Sequence, residues 1–209
     1  MSDGWIDEQL VARGVRDPRV LDAMRRVPRD AFVPPDARPH AYADRALPIG
    51  SGQTISQPYM VAAMTEALRL TGAERVLDVG TGSGYQAAVL AELAREVITI
   101  ERRPELADLA RATLDALGYR TIQVVVGDGT LGSPVHAPFD GILVAAGAPR
   151  VPEALRQQLS TRGGRLVIPI GPPEQQWLVV VARDGDRFTE SKGVGCVLVP
   201  LVGAEGWPV

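Results

Sequence analysis

Hydrophobic and polar positions alternate between two periods over residues 56–170 of the chain. Short apolar runs have the length and composition of buried strands, and they lie at 75–79, 97–100, 122–126, 139–145 and 165–170. The segments between them carry apolar residues at helical spacing, which predicts helices at 60–68, 83–94, 104–117 and 152–159. Strands that alternate with helices predict an α/β fold with a doubly wound, mostly parallel sheet.

The two ends of the chain have a different pattern. The first 55 residues are rich in proline, with a helix predicted after the Asp17-Pro18 pair and extended chain with turns over 32–53. Near the other end, an apolar strand at 177–182, a turn and renewed alternation toward 194–201 predict antiparallel strands. We therefore predict a single domain over 1–209. It has an N-terminal helical extension (1–55), an α/β core (56–170) and C-terminal antiparallel strands (171–209).

Composition excludes several classes of protein. With 22 basic and 25 acidic residues, the chain lacks an obvious basic face, so nucleic-acid binding is not expected. The single cysteine, Cys196, allows no intramolecular disulfide and no cysteine-based zinc cluster, and His40 and His136 are interpreted as surface residues. No metal site is predicted. No secretory signal or apolar run of about 18 residues is visible, which predicts a soluble cytoplasmic protein, and we expect a monomer.

A glycine-rich loop follows the strand at 75–79 and opens the next helix. Gly80, Gly82 and Gly84 allow a ligand to approach the backbone, but the same glycines also satisfy a dinucleotide-binding pattern. Asp78, at the end of the strand, separates the two interpretations, because its carboxylate would repel a pyrophosphate. It suits S-adenosylmethionine, which carries an ammonium group and a sulfonium but no phosphate.

Two more carboxylates follow the next two strands. Glu101 comes about 20 positions after Asp78, the spacing of an acid that binds ribose hydroxyls. Asp128, in the Gly127-Asp128-Gly129 run, is placed to accept a hydrogen bond from an adenine amine. Three acids at successive strand ends predict a site for a nucleoside with a cationic tail.

One further run of the chain is distinctive: Leu47-Pro48-Ile49-Gly50-Ser51-Gly52-Gln53-Thr54-Ile55-Ser56-Gln57-Pro58-Tyr59-Met60. It resembles the N-terminal motif of the protein-L-isoaspartate O-methyltransferase family. The likeness continues at 76–86, 99–102, 127–129, 137–140 and 163–171, so that it spans about residues 27–203. The glycine loop is common to many methyltransferases, whereas the Gly-Gln-Thr-Ile-Ser-Gln-Pro run is much more specific and carries the substrate assignment.

The resemblance implies a class I, Rossmann-like methyltransferase. Its expected reaction moves a methyl group from S-adenosyl-L-methionine to the α-carboxylate of L-isoaspartyl residues in damaged proteins and peptides, leaving S-adenosyl-L-homocysteine. The methyl ester then collapses to a succinimide, which opens partly to normal aspartate. Ser56 matches the active-site residue. The residues implied at the cofactor are Gln53, Thr54, Ile55, Ser56, Asp78, Gly80, Gly82, Ser83, Gly84, Glu101, Asp128, Gly129 and Gln176.

The C-terminal tail departs from the family pattern. Where relatives often carry an arginine-aromatic pair before Val-Pro-Leu, this chain has Gly195-Cys196-Val197-Leu198, which affects the expected shape of the peptide groove. We interpret Cys196 as an apolar filler of a strand, and Met60, Met64 and Trp177 as core residues.

The expected chemistry needs little from the protein besides positioning. A carboxylate has a pKa of about 4, so the nucleophile is ionised at neutral pH and no general base is required. Ser56 has two compatible interpretations: a donor that aims the substrate carboxylate, or an N-cap of the following helix. The alternatives are a small-molecule O- or N-methyltransferase, disfavoured by the Gln53–Pro58 run, and a nicotinamide-dependent oxidoreductase, disfavoured by Asp78. A noncatalytic S-adenosylmethionine-binding protein is the third, although it would be expected to lose the residues around Ser56.

Overall fold

A computed structural model describes residues 4–208 of the chain. The α-helices are α1 (Gly4–Gln9), α2 (Pro18–Arg26), α3 (Pro58–Leu68), α4 (Tyr85–Ala91), α5 (Pro104–Ala116) and α6 (Glu153–Gln157). The strands are β1 (Leu47–Gly50), β2 (Gln53–Ile55), β3 (Arg75–Val79), β4 (Glu96–Glu101), β5 (Ile122–Val126), β6 (Gly141–Val144), β7 (Arg162–Ile170), β8 (Gln176–Asp184) and β9 (Arg187–Cys196). Short 3-10 turns connect several of them.

The main sheet has the strand order β5-β4-β3-β6-β7-β8-β9. The first five strands in this order are parallel, and β8 and β9 are antiparallel additions at one edge. The predicted doubly wound, mostly parallel α/β fold with antiparallel C-terminal strands is therefore confirmed. The chain moves outward from β3 in one direction through β4 and β5, and then returns to the other side of β3 with β6. Ligands of such sheets bind at this switch point, outside the carboxyl ends of the strands.

Burial explains why the central strands read as continuous apolar runs. Val76 and Leu77 of β3 are both fully buried, and they belong to separate apolar clusters. Helix α5 turns Leu106, Ala110 and Leu114 toward the interior. Side chains of α3 and α4 pack on one face of the parallel strands, and side chains of α6 and the tail pack on the other. Because both faces are buried, the strands show no alternation of apolar and polar residues.

The N-terminal extension starts as the sequence predicts and then adds a hairpin. Asp17 caps α2 by accepting a hydrogen bond from the Arg19 amide, and Pro18 is the first helical residue. The stretch predicted as extended chain and turns contains part of an antiparallel hairpin, β1 with β2. The sequence pattern did not predict β1 because it contains a proline at position 48, and proline is tolerated mainly in edge strands.

The C-terminal segment needs two corrections. The alternation toward residue 201 does not continue as strand: β9 ends at Cys196, and the chain then pairs with the segment after β6, with the Leu201 amide donating to the Gly147 carbonyl. Trp177 is not a core residue: it is 37% exposed, with the Lys192 ammonium 3.9 Å from its ring centroid. Met60 and Met64 are buried, as predicted.

Several helix ends also differ from the sequence pattern. Helix α4 begins at Tyr85 rather than Ser83, because its N-cap Gly84 has φ +89°, and it ends at Ala91 rather than Ala94. Helix α6 is shorter than the predicted 152–159. Of the two histidines, His40 is exposed, but His136 is half-buried and its Nδ1 lies 2.7 Å from the Ser133 hydroxyl. Within residues 4–208, no helix is both long and apolar enough to cross a membrane.

Candidate functional site

A pocket of about 870 Å³ opens at the carboxyl ends of β3 and β4. Its wall is built from segments that are distant in sequence: 53–56 at the end of the hairpin, 79–83 in the glycine loop, 100–103 after β4, and 199–202 in the tail. The switch point of the sheet therefore carries a concave site whose wall is assembled from four separate segments.

The glycine loop forms the floor of this pocket. The Gly80 amide donates to the Ile100 carbonyl (2.9 Å), which fixes the loop against the end of β4. Gly82 has φ +50°, and a Cβ at this position would lie 3.3 Å from the Ile49 side chain of the hairpin. Glycine is therefore needed at position 82 for two reasons, its backbone angle and the close approach of β1.

Glu101 lies in the wall, where the sequence predicts an acid. Its Oε2 accepts from the Gly82 amide (2.9 Å) and its Oε1 accepts from the Arg103 amide (3.0 Å). A carboxylate has about four lone-pair sites, so it can still accept hydrogen bonds from a ligand. Glu101 thus both shapes the glycine loop and presents free acceptor capacity to the pocket.

Asp78 lies beneath the loop rather than in the wall. It is fully buried; Thr99 donates to its Oδ2 (2.8 Å), and its Oδ1 has no hydrogen-bond partner among residues 4–208. Burial, with a smaller contribution from the nearby Glu101 charge, raises the pKa of the Asp78 carboxyl to about 7 against the opposing Thr99 hydrogen bond.

A chain of hydroxyls connects Asp78 with the pocket. The Thr81 and Thr99 hydroxyl oxygens are 2.6 Å apart, and Thr81 is part of the wall. When Asp78 is ionised, Thr99 must donate to it, and Thr81 must then donate to Thr99. The charge of Asp78 therefore leaves the Thr81 oxygen as an acceptor toward the pocket, which suits a ligand that carries an ammonium group.

The third acid, Asp128, also stays out of the wall. Its Oδ1 accepts from the amide and the hydroxyl of Thr130, and its Oδ2 accepts from the Ala204 amide (2.8 Å). Partial burial raises the pKa of the Asp128 carboxyl, but these hydrogen bonds outweigh it and hold the pKa below its usual value. Asp128 caps a 3-10 turn and ties down the C-terminal tail, while Gly129 beside it reaches the pocket.

Two further predicted residues lie outside the wall. Gly84 is the N-cap of α4 and faces Leu114 of α5. Gln176 is 1% exposed, and its side chain exchanges hydrogen bonds with both the amide and the carbonyl of Leu198. The structure thus gives Gln176 a structural position between β8 and the tail instead of the pocket position that the sequence predicts.

Ser56 lies where two cavities meet. It lines the pocket together with Gln53, Thr54 and Ile55, and it also lines an adjoining open groove. The groove runs between the N-terminal extension (Arg13 and 44–46) and the tail (195–199). Ser56 does not cap α3, because the N-cap position falls on Gln57, which makes no capping hydrogen bond through its side chain.

The sequence patterns missed part of the wall. The missed residues are Val61, Val79, Thr81, Tyr85, Gln86, Ile100, Arg102, Arg103, Ala145, Ala146, Val199, Pro200, Leu201 and Val202. Thr81, Arg102 and Arg103 stand next to predicted residues, and adjacency to the loop and to Glu101 was a usable signal. The tail residues at 199–202 had none, since they reach the site only through their backbone hydrogen bonds with Gly147.

The site fits the cation-bearing nucleoside that the sequence indicates. Glycines without side chains form the floor, Glu101 keeps free acceptor sites, and the Thr81 oxygen is an acceptor toward the pocket when Asp78 is ionised. Fold and site together define a class I S-adenosylmethionine-dependent methyltransferase.

Comparisons with known proteins identify the family. The model of the protein-L-isoaspartate(D-aspartate) O-methyltransferase family matches residues 5–206. Protein-L-isoaspartate O-methyltransferase 2 of Marinobacter nauticus is 60% identical over 202 residues, covering 96% of this chain and 92% of the relative. Protein-L-isoaspartate O-methyltransferase of Methanoregula boonei is 53% identical over 202 residues, covering 97% of this chain and 93% of the relative. The chain belongs to the protein-L-isoaspartate O-methyltransferase family.

Solved structures agree with this assignment. A protein-L-isoaspartate O-methyltransferase with 27% identity superposes with a TM-score of 0.86, covering 98% of this chain and 67% of the other. A Plasmodium falciparum structure classified with these enzymes has 25% identity and a TM-score of 0.79, covering 96% and 97% of the two chains. That protein was solved in complex with S-adenosyl-L-homocysteine.

Proposed function

We propose that this chain methylates the free α-carboxylate of L-isoaspartyl residues in damaged proteins and peptides, with Ser56 as its catalytic residue. The observation that carries the proposal is the position of Ser56 and Thr54, which line both the cofactor pocket and the adjoining groove. We assign the cofactor to the pocket that the glycine loop and Glu101 line, and the peptide to the groove between the N-terminal extension and the tail. The reacting groups meet at Ser56.

The chemistry fits the groups present. S-adenosylmethionine, when bound, supplies a methyl group activated by a positively charged sulfur. A substrate carboxylate is already ionised at neutral pH, and it needs only to be held in line with that methyl group. The Ser56 hydroxyl donates to one carboxylate oxygen and leaves the other free to attack. Cys196 lies in the groove, but burial raises the pKa of its thiol to about 11, so that it stays protonated at neutral pH.

The consequence for the substrate is repair. The ester carbonyl can lose its methoxy group, whereas a carboxylate would have to expel oxide. The neighbouring backbone amide nitrogen therefore attacks the ester carbonyl, its proton leaves with the methoxy group as methanol, and a succinimide closes. Hydrolysis of this ring yields a mixture of aspartyl and isoaspartyl peptide. Repeated cycles convert isoaspartate to aspartate and release S-adenosyl-L-homocysteine each time.

We assign the cofactor contacts to the predicted residues that line the pocket: Gln53, Thr54, Ile55, Ser56, Gly80, Gly82, Ser83, Glu101 and Gly129. Asp78 acts on the cofactor through Thr99 and Thr81. Gly84 and Asp128 hold the surrounding segments in place rather than binding the cofactor directly.

A labelled-methyl assay tests the proposal. An isoaspartyl peptide and its aspartyl twin are incubated with tritiated S-adenosylmethionine, and base-labile label is expected only on the isoaspartyl peptide. Equal labelling of the two peptides, or none, would contradict the substrate assignment. Transfer to a small alcohol or amine instead would favour the small-molecule alternative.

The organisation of the protein completes the proposal. We place one methyltransferase domain over the chain, acting as a cytoplasmic monomer without nucleic-acid partners. The near-balance of 22 basic and 25 acidic residues supports the last point. Light scattering after size-exclusion chromatography is expected to give the mass of a single 22.3 kDa chain.

A further inference from the structure

A fully buried arginine, Arg29, lies behind the active-site segment. Its side chain has no exposed surface, and none of the ion pairs formed among residues 4–208 includes it. Its Nη1 atom is buried and has no hydrogen-bond partner in that part of the chain. Arginine is rarely this buried without a carboxylate, so the position calls for a physical explanation.

The guanidinium of Arg29 joins three parts of the molecule. Its Nε donates to the Ala41 carbonyl of the N-terminal extension, and its Nη2 donates to the Ser56 carbonyl, both over 2.7 Å. The guanidinium carbon also lies 4.8 Å from the ring centroid of Tyr85, which begins α4 and lines the cofactor pocket. Arg29 therefore bridges the extension, the Ser56 segment and the helix that follows the glycine loop.

Stability alone does not account for this arginine. A buried charge without a counter-ion costs desolvation free energy, and an apolar side chain of similar length would fill the same space without that cost. The planar guanidinium offers something that an apolar side chain lacks, because it holds two carbonyls at a fixed mutual angle.

The Ser56 hydroxyl itself makes no hydrogen bond to any of residues 4–208, whereas its carbonyl oxygen is held by Arg29. The direction of the hydroxyl therefore depends on how the backbone of this residue is held. Because a peptide unit is planar and trans, fixing the Ser56 carbonyl also directs the Gln57 amide away from Arg29.

We propose that Arg29 is a positioning residue for methyl transfer: it fixes the Ser56–Gln57 peptide unit and so aims the Ser56 hydroxyl at the substrate carboxylate. The inference rests on the proposed function, since it concerns the same reaction. Arg29 lines neither the cofactor pocket nor the groove, and it contacts two residues that do: Ser56 through its carbonyl oxygen and Tyr85 through its ring.

A double-mutant cycle separates positioning from a purely structural role. The variants are Arg29→Met, Ser56→Ala and the double variant, with Arg38→Met as a control because Arg38 is exposed on the same extension. The measurements are kcat with an isoaspartyl peptide, the calorimetric affinity for S-adenosyl-L-homocysteine, and the thermal midpoint. Arg29→Met is expected to lower kcat by about 10²-fold, the scale of a misplacement near 1 Å, with cofactor-product affinity retained. The double variant is expected to be no slower than the slower single variant.

Several results would overturn the inference: wild-type kcat in Arg29→Met, losses that multiply in the double variant, or a loss of product affinity equal to the loss of kcat. Wild-type kcat in Ser56→Ala would overturn it too, while leaving the substrate assignment intact. The wild-type protein in the same assay tests the proposed function separately, because it labels the isoaspartyl peptide or fails to.

If Arg29→Met does not fold, Arg29→Lys replaces it in the same double-mutant cycle. Lysine keeps the charge but lacks the rigid fork, so it cannot hold both carbonyls in the same geometry. A folded Arg29→Lys protein with reduced kcat and unchanged product affinity supports positioning, and wild-type turnover in this variant contradicts it.

Discussion

Asp78 and Asp128 lie at the same edge of the sheet, at the ends of β3 and β5, but the structure treats their carboxyl groups in opposite ways. Asp78 is buried with one oxygen unpartnered, and its pKa is raised to about 7. Asp128 accepts three hydrogen bonds, and its pKa is lowered. Although the two positions are similar in sequence, ionised Asp78 destabilises the folded protein without its ligand, whereas ionised Asp128 stabilises it. The difference lies in burial and in the number of donors.

The largest expected effect concerns the stability of Asp78→Asn as a function of pH. The native pKa of Asp78 is above its unfolded value, so ionising this group costs stability as the pH rises toward 7 and above. At pH 8 the variant is expected to exceed the wild type in free energy of unfolding by roughly 2–4 kcal/mol, and the gain shrinks toward pH 5. Urea denaturation at the two pH values measures the difference. An equal gain at both pH values would contradict the raised pKa.

The same substitution is expected to weaken cofactor binding. At pH 8 an ionised Asp78 sets the direction of the Thr99 and Thr81 hydroxyls, and asparagine removes this charge. The loss in binding free energy is expected to be roughly 1–3 kcal/mol by calorimetry with S-adenosylmethionine. Asp186→Asn, in an exposed turn, serves as the matched control and leaves the affinity unchanged. Unchanged affinity in Asp78→Asn would remove Asp78 from the cofactor site.

Asp128→Asn is expected to have the opposite effect on stability. The variant weakens the links to Thr130 and Ala204, which is expected to lower the free energy of unfolding by about 1 kcal/mol at pH 7, given the partial exposure. Because the native pKa is lowered, the contribution is present above the unfolded pKa and disappears as the pH falls through the native pKa.

Cofactor affinity distinguishes this role of Asp128 from the one that the sequence predicts. A fall in affinity for S-adenosylmethionine without any loss of stability would restore Asp128 as a direct adenine contact.

The smallest expected effect concerns the loop above Asp78. Gly82→Ala and Gly185→Ala both place a side chain at positive φ, +50° and +58°, and each is expected to cost about 1 kcal/mol of stability. Only Gly82→Ala is expected to weaken cofactor binding as well, because Gly185 lies in a turn with open space around it. Equal affinities in the two variants would show that the floor of the pocket tolerates a methyl group.

The sequence predicted the central fold well because its signals are local. Periodicity placed β3 and β5 at their observed bounds, and the glycine run marked the loop that lies at the switch point. Helix ends were less accurate, as α4 shows, because the turn at Gly84 replaces the first predicted residues of the helix. The predicted acids all lie at the correct edge of the sheet. Which of them faces a ligand depends on how deeply each side chain is buried, and the sequence pattern does not specify the burial of single side chains.

The sequence by itself determined the order of strands and helices, the glycine loop, and the run around Ser56 that marks the family. Only the tertiary structure decided that 199–202 close the pocket, that Gln176 supports the tail, and that Arg29 holds Ser56 from behind. The physical reason is distance along the chain. Patterns of 2.0 and 3.6 residues report the neighbours of a residue within its own element. Contacts between residues 29 and 56, or between the tail and the glycine loop, exist only after the elements have packed.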